Sequence, residues 1–201
     1  SMWLVVSYLP GAIVPVIGFV AVFVILYLVA PMIAERFGGA FEGVGEHVVL
    51  VAPLLLVAFP LLVLQEPRAS SPVMIFPALF ALVALIVWRA FAEPTGRLYF
   101  LAAFFALVTE AAWSSKFLVP ETLPGALATY GAFALLYLGV PHLARRRGTP
   151  LQPAAGPGIV LLFGLMLLIY FADARVATAG LWGLALLLAI LNAALFIESA
   201  S

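Results

Sequence analysis

Apolar residues in this chain run in long blocks separated by short connectors. Seven blocks can be marked, at 11–34, 47–65, 72–92, 97–119, 123–144, 157–173 and 176–197. Each is near the ~20 apolar residues that a helix needs to cross a bilayer. Charge is confined almost entirely to the short connectors: Glu35-Arg36 through Glu46, Glu66-Pro67-Arg68, Glu93 to Arg97, Glu121, Arg145-Arg146-Arg147, and Asp173-Ala174-Arg175. The pattern predicts an all-α, polytopic transmembrane bundle of about seven spans. Pro15, Pro53, Pro60 and Pro77 fall inside blocks, where membrane helices tolerate proline if neighbours satisfy the freed carbonyls.

Composition supports the same reading. Hydrophobic residues make up 66% and charged residues 9% of the 201 positions, too apolar for a water-soluble domain of this size. Net charge is zero, so nothing points to nucleic acid as a partner; the expected partner is the lipid bilayer. Cysteine is absent, which excludes disulfides and thiolate chemistry. His47 and His142 have no ligand-type neighbours at metal spacing, and no cofactor motif is present, so neither metal nor cofactor is expected. Ser1-Met2 reads as a protease-cleavage scar and is set aside. The arginine-rich usage of cations fits a bacterial source, hence the inner membrane.

Basic residues give an orientation. Connectors after the first, third and fifth blocks hold six (Arg36, Arg89, Arg97, Arg145, Arg146, Arg147), against three on the other side (Arg68, Lys116, Arg175). Positive-inside bias places the six in the cytoplasm, the N-terminus outside and the C-terminus inside.

An internal repeat organises the chain further. Leu26-Tyr-Leu-Val-Ala-Pro31-Met-Ile-Ala-Glu-Arg36-Phe-Gly38 recurs as Leu136-Tyr-Leu-Gly-Val-Pro141-His-Leu-Ala-Arg-Arg146-Arg-Gly148, at an offset of 110. The same offset pairs Trp3 with Trp113 and Pro10 with Pro120, while Phe91-Ala-Glu93 resembles Phe196-Ile-Glu198 at 105. The unit is four spans, so its copies are parallel. Residues 3–122 then form a first unit, opening with the end of a preceding span, and 123–201 a second, three-span unit. The expectation is a repeat truncated at both ends, a piece of a longer protein whose further spans, or other subunits, are partners.

Residues 109–148, from Thr-Glu-Ala-Ala-Trp-Ser-Ser-Lys through Leu-Tyr-Leu-Gly-Val-Pro-His-Leu-Ala-Arg-Arg-Arg-Gly, resemble segments of a family of large uncharacterised bacterial membrane proteins with many spans in tandem. The resemblance implies a polytopic envelope protein and no catalytic residues.

Glu110 is the outstanding polar residue. It lies roughly 18 Å from the polar start of its block at 1.5 Å per residue, near the middle of the hydrocarbon. A carboxyl there must face protein or a wet cavity. Its helix face carries Tyr99, Ala103, Ala106, Trp113, Ser114 and Phe117. Two readings stand: a proton- or cation-binding group on a transport path, or a neutral acid hydrogen-bonded to Ser114, Tyr130 or backbone as structural glue. Lys116, near the end of the block, is expected to snorkel to the interface, with a cation–π contact to Trp113 within reach. Asn192 is a lone polar group in the last block, suited to an interhelical hydrogen bond.

Two functions follow from different classes. One is a non-enzymatic module, a scaffold or the transport-like part of a larger envelope protein. The other is an intramembrane enzyme acting on a lipid-linked envelope substrate, for which Arg89, Glu93, Arg97 and His142 are the polar groups able to converge at the cytoplasmic face. Nothing resembles a nucleophile elbow or a phosphate loop.

Overall fold

A computed structural model of the chain describes residues 12–37, 45–92, 96–151, 156–172 and 182–199. Among them it is an all-α helical bundle. The elements are α1 (Ile13–Arg36), α2 (Gly45–Leu54), a 3₁₀ turn (Leu55–Val57), α3 (Ala58–Gln65), a second 3₁₀ turn (Pro67–Ser70), α4 (Pro72–Ala92), α5 (Gly96–Phe117), α6 (Leu123–Arg146), α7 (Gly156–Phe171) and α8 (Trp182–Ser199). Four of these, α1, α4, α5 and α6, are long and apolar enough to cross a membrane, and shorter apolar helices cover Val51–Gln65, Gly156–Tyr170 and Trp182–Ala193. Each expected span thus coincides with a helical rod; residues 176–181 of the last lie outside the described residues.

Proline accounts for the one interrupted rod. Pro60 has no N–H to give the Leu56 carbonyl and its ring crowds the preceding turn. The backbone tightens to 3₁₀ at Leu55–Val57, one turn before that proline, and then resumes as α3. Pro31, Pro77 and Pro141 sit inside α1, α4 and α6 without ending them. Pro15 falls in the first turn of α1, where helix N–H groups have no intrahelical acceptor in any case.

Helix α5 is the hub. It packs against α2, α3, α4, α6 and α7. Ala102, Ala103 and Ala106 are fully buried on it, and their small side chains let neighbouring backbones come close. Helix α1 instead buries a single seam, Ile13, Val16, Val20, Val24 and Leu28, at steps of three and four. Ile17, Ala21 and Tyr27 flank that seam half-buried, and Val14, Phe19 and Val22 beyond them are exposed. Helix α8 closes the other flank against α6 and α7.

The repeated motif ends two helices of identical length. Helices α1 and α6 both have 24 residues, and Ile13 to Leu123 and Arg36 to Arg146 are each 110 residues apart. The glycine that follows α6 has a conformational duty. Gly148 has φ 72° and donates its N–H to Arg145 O, while Thr149 N–H reaches Ala144 O. That pair of bonds is a Schellman C-terminus, which requires a left-handed residue and therefore favours glycine.

Candidate functional site

The polar residues buried in α5 lie on one face, as their spacing requires. Tyr99, Ala103, Ala106, Glu110, Trp113 and Ser114 are all buried, and Phe117 partly so. Glu110 has 0% exposure. Its Oε1 accepts a hydrogen bond of 2.8 Å from the Tyr137 hydroxyl of α6. Its Oε2 is also buried and makes no hydrogen bond among the described residues.

Ser114 does not bind the carboxyl. Its hydroxyl donates to the backbone carbonyl of Glu110, one turn back, at 2.7 Å. Ser114 Oγ and Tyr130 OH are also hydrogen-bonded to each other. Because the Ser114 proton is committed to the Glu110 carbonyl, Tyr130 is the donor of that pair. Tyr99 donates to the Tyr137 backbone carbonyl at 3.0 Å, and Tyr170 of α7 reaches the Ala111 carbonyl at 3.3 Å. The hydroxyl of Thr109 is spent on its own helix, at Phe105 O.

Aromatic rings enclose this cluster. Phe163 of α7 meets Tyr137 edge-on at 5.3 Å and Tyr130 at 6.4 Å, and Tyr130 stacks on Tyr170 at 6.1 Å. These offset and edge-to-face geometries are the favourable ones for aromatic pairs. Helices α5, α6 and α7 are therefore tied together by hydroxyl groups in a buried, ring-lined interior. An unpaired polar group in such surroundings is costly, which gives each of these bonds weight.

The sequence-derived trio Glu110, Ser114 and Tyr130 is brought together, with a different wiring. The carboxyl partner is Tyr137, which sequence reasoning did not select; Tyr170 was also missed, while Tyr99 was placed on the Glu110 face without its bond to Tyr137 O. A signal existed for Tyr137, since it belongs to the repeated Leu-Tyr-Leu stretch.

A second set of contacts sits at the C-terminal end of α5. Trp113 is fully buried, and its Nε1–H donates to Ala69 O in the turn before α4, at 2.8 Å. Lys116 is exposed, yet its ammonium does more than snorkel. It donates to Val63 O at 3.1 Å and Leu64 O at 2.8 Å, and lies 4.9 Å from the ring of Phe117 rather than over Trp113.

At the opposite end of the bundle, Arg89 is buried in α4, whereas Arg97 and His142 are exposed on α5 and α6. Arg147 lies over the Phe91 ring at 5.4 Å, which puts the end of α6 beside the end of α4. Glu93 lies outside the described residues. Among the described residues, no three His, Cys, Asp or Glu side chains are grouped closely enough to hold a metal ion. Asn192 is exposed, and its Nδ2 donates to Leu188 O on its own helix at 2.8 Å.

Comparisons with models of known protein families, with curated proteins and with solved structures return no match.

Proposed function

We propose that the chain is a non-enzymatic, membrane-embedded module of a larger bacterial inner-membrane protein, in which the carboxyl–hydroxyl cluster around Glu110 holds α5, α6 and α7 in fixed register. One observation carries this reading: Glu110 is fully enclosed and bonded across helices to Tyr137, with Ser114 and Tyr130 bonded beside it. A group placed to hold helices together needs fixed partners, whereas a group on a permeation path needs access. Glu110 is read here as the neutral acid, because a carboxylate with one donor for its two oxygens lacks the bonds that ionisation needs. The shared length and 110-residue spacing of α1 and α6 support a tandem architecture, as does the resemblance to many-span bacterial proteins. The orientation proposed is N-terminus outside, with the Arg145–Arg147 end cytoplasmic. A cysteine introduced near Arg147 should then resist an impermeant reagent added from outside.

The decisive experiment is a pair of substitutions. Glu110→Gln keeps the size and hydrogen-bonding capacity of the neutral acid; Glu110→Leu removes them. A structural role predicts that Gln is nearly neutral in thermal stability and that Leu destabilises by about 1–2 kcal/mol, the scale of interhelical hydrogen bonds in membranes. The second reading, a proton or cation site, is favoured by the unpartnered Oε2. It predicts a pH-dependent flux in proteoliposomes that both variants abolish, with Gln leaving stability intact. The enzyme reading has less support, because Arg97 and His142 are exposed while Arg89 is buried.

A further inference from the structure

Helices α4 and α6 run side by side in the same direction. At one end, Pro72 Cγ lies 3.1 Å from where a side chain on Gly125 would begin. Midway, Phe76 and Phe80 pack edge-on against Phe133 at 6.2 and 5.3 Å, and at the far end Arg147 lies over Phe91 at 5.4 Å. Each helix also turns an exposed stripe outward: Ala81, Ala84 and Trp88 on α4, and Ala132, Leu135, His142 and Arg146 on α6. At 3.6 residues per turn, each stripe lies about a quarter turn from its helix's contact residues, in opposite senses on the two helices. For parallel neighbours this puts both stripes on the same side, flanking one groove.

The groove changes character along its length. From Ala132 to His142 is about 15 Å along the axis, half the thickness of the hydrocarbon. Over that length both stripes are apolar, and Leu135 is 76% exposed. At its end, His142 and Arg146 stand one turn apart on one face of α6. The register set by Pro72 and Gly125 brings Trp88, 59% exposed, level with His142. Neither His142 nor Arg146 makes a hydrogen bond or ion pair among the described residues. The two helices offer no carboxylate, since the sequence has no Asp or Glu at 67–92 or at 122–172. Glu93, which follows α4, lies outside the described residues. At the opposite end of the bundle the exposed Lys116 is instead bonded to Val63 O and Leu64 O.

We propose that this groove holds one anionic phospholipid, with an acyl chain along Ala132 and Leu135 and its phosphate against His142 and Arg146. Charge complementarity selects the occupant. Arg146 and Arg147, with no acid on either helix, call for an anion, and the apolar stripe leading to them calls for a tail on it. A guanidinium matches phosphate through paired N–H donors, and His142 adds a further N–H. A tryptophan at this level sits where headgroups meet hydrocarbon. A soluble anion would leave the stripe unused, and a zwitterionic lipid would leave the charge unmatched.

Trp88 reports on the groove. With Trp3→Phe and Trp182→Phe as background, the other remaining tryptophan, Trp113, is fully buried and gives a steady signal. The full chain is reconstituted in phosphatidylcholine vesicles containing a rising fraction of phosphatidylglycerol with brominated acyl chains, which quench on contact; brominated phosphatidylcholine is the reference. The anionic lipid should quench Trp88 at an about fivefold lower mole fraction, the scale of one basic residue at an anionic surface. His142→Gln with Arg146→Gln should bring the two lipids level and leave quenching by phosphatidylcholine unchanged, which also reads whether the fold is intact. Arg146→Gln alone should cut the preference at least about twofold, and decides the matter should the double variant fail to fold. Arg36→Gln removes an arginine from the end of a different helix, α1, and should keep most of the preference. Equal quenching by the two lipids, a preference that survives loss of Arg146, or one that Arg36→Gln lowers as much would each overturn the proposal. Relief of quenching by inorganic phosphate beyond that of chloride at equal ionic strength would assign these residues to a soluble anion, and would equally overturn it.

Discussion

Helices α1 and α5 are both apolar enough to cross a membrane, yet they sit in opposite places. Helix α1 is the more apolar and the less enclosed, with 28% of its span buried against 56% for α5. In water the greasier helix would be the inner one. In lipid the exterior is as apolar as leucine, so hydropathy gives no reason to bury a helix, and polar groups with partners decide. Helix α5 makes five kinds of bond to other elements through Tyr99, Glu110, Trp113, Ser114 and Lys116. Helix α1 holds on through an aliphatic seam.

The largest test of that contrast uses one aromatic from each helix. Trp113 is fully buried, packs edge-on against Phe76 at 5.9 Å and donates to Ala69 O. Trp113→Ala should destabilise by about 3–5 kcal/mol, through the cavity and the orphaned carbonyl. Phe19 on α1 is 62% exposed, and Phe19→Ala should change stability by less than about 0.5 kcal/mol. Unfolding in mixed micelles with increasing denaturing detergent would read both. Comparable losses would show that α1 is held by more than its seam.

A mid-sized effect is expected at the carboxyl's partner. Tyr137→Phe strands Glu110 Oε1 inside the bundle and should cost about 1–3 kcal/mol, the penalty for an unsatisfied buried polar group. Tyr27, which holds the same place in the similar stretch Leu26-Tyr27-Leu28, is only partly buried on α1. Tyr27→Phe should be close to neutral. The double variant Tyr137→Phe with Glu110→Gln then measures how far the two side chains act as one unit.

Helix positions were legible in the sequence because span length is dictated by the bilayer and apolar blocks record it directly. The buried face of α5 was legible too, since Glu110, Ala103, Ala106 and Ser114 share a helical spacing. The carboxyl's partner was not. Periodicity assigns Tyr130 and Tyr137 to the same face of α6, and only the rotation and height of α6 against α5 select which hydroxyl meets Oε1. The interrupted second rod was half visible. Pro60 stood in the second block, but so did tolerated prolines in others, and the sequence did not show that this one would be preceded by a 3₁₀ turn. Lys116 shows the same limit, since its acceptors lie more than fifty residues away on a helix end that only tertiary structure brings near.

The smallest effect expected is at that lysine. Helix α3 ends at Gln65, and its last carbonyls have no intrahelical donor. Glu66 N–H satisfies Leu62 O at 2.8 Å, which leaves Val63 O and Leu64 O for the ammonium of Lys116. A cation at a helix C-terminus also interacts favourably with the helix dipole, so Lys116→Met should destabilise by about 0.3–1 kcal/mol. Lys116→Arg keeps the charge and should recover most of that loss. Because Lys116 is exposed, the dipole part is screened by salt. The gap between wild type and Lys116→Met should therefore narrow between low and high ionic strength, whereas the gap for Trp113→Ala should not. If the Lys116→Met deficit were as insensitive to salt as that of Trp113→Ala, the ammonium would be acting through its packed stem and not as a cap.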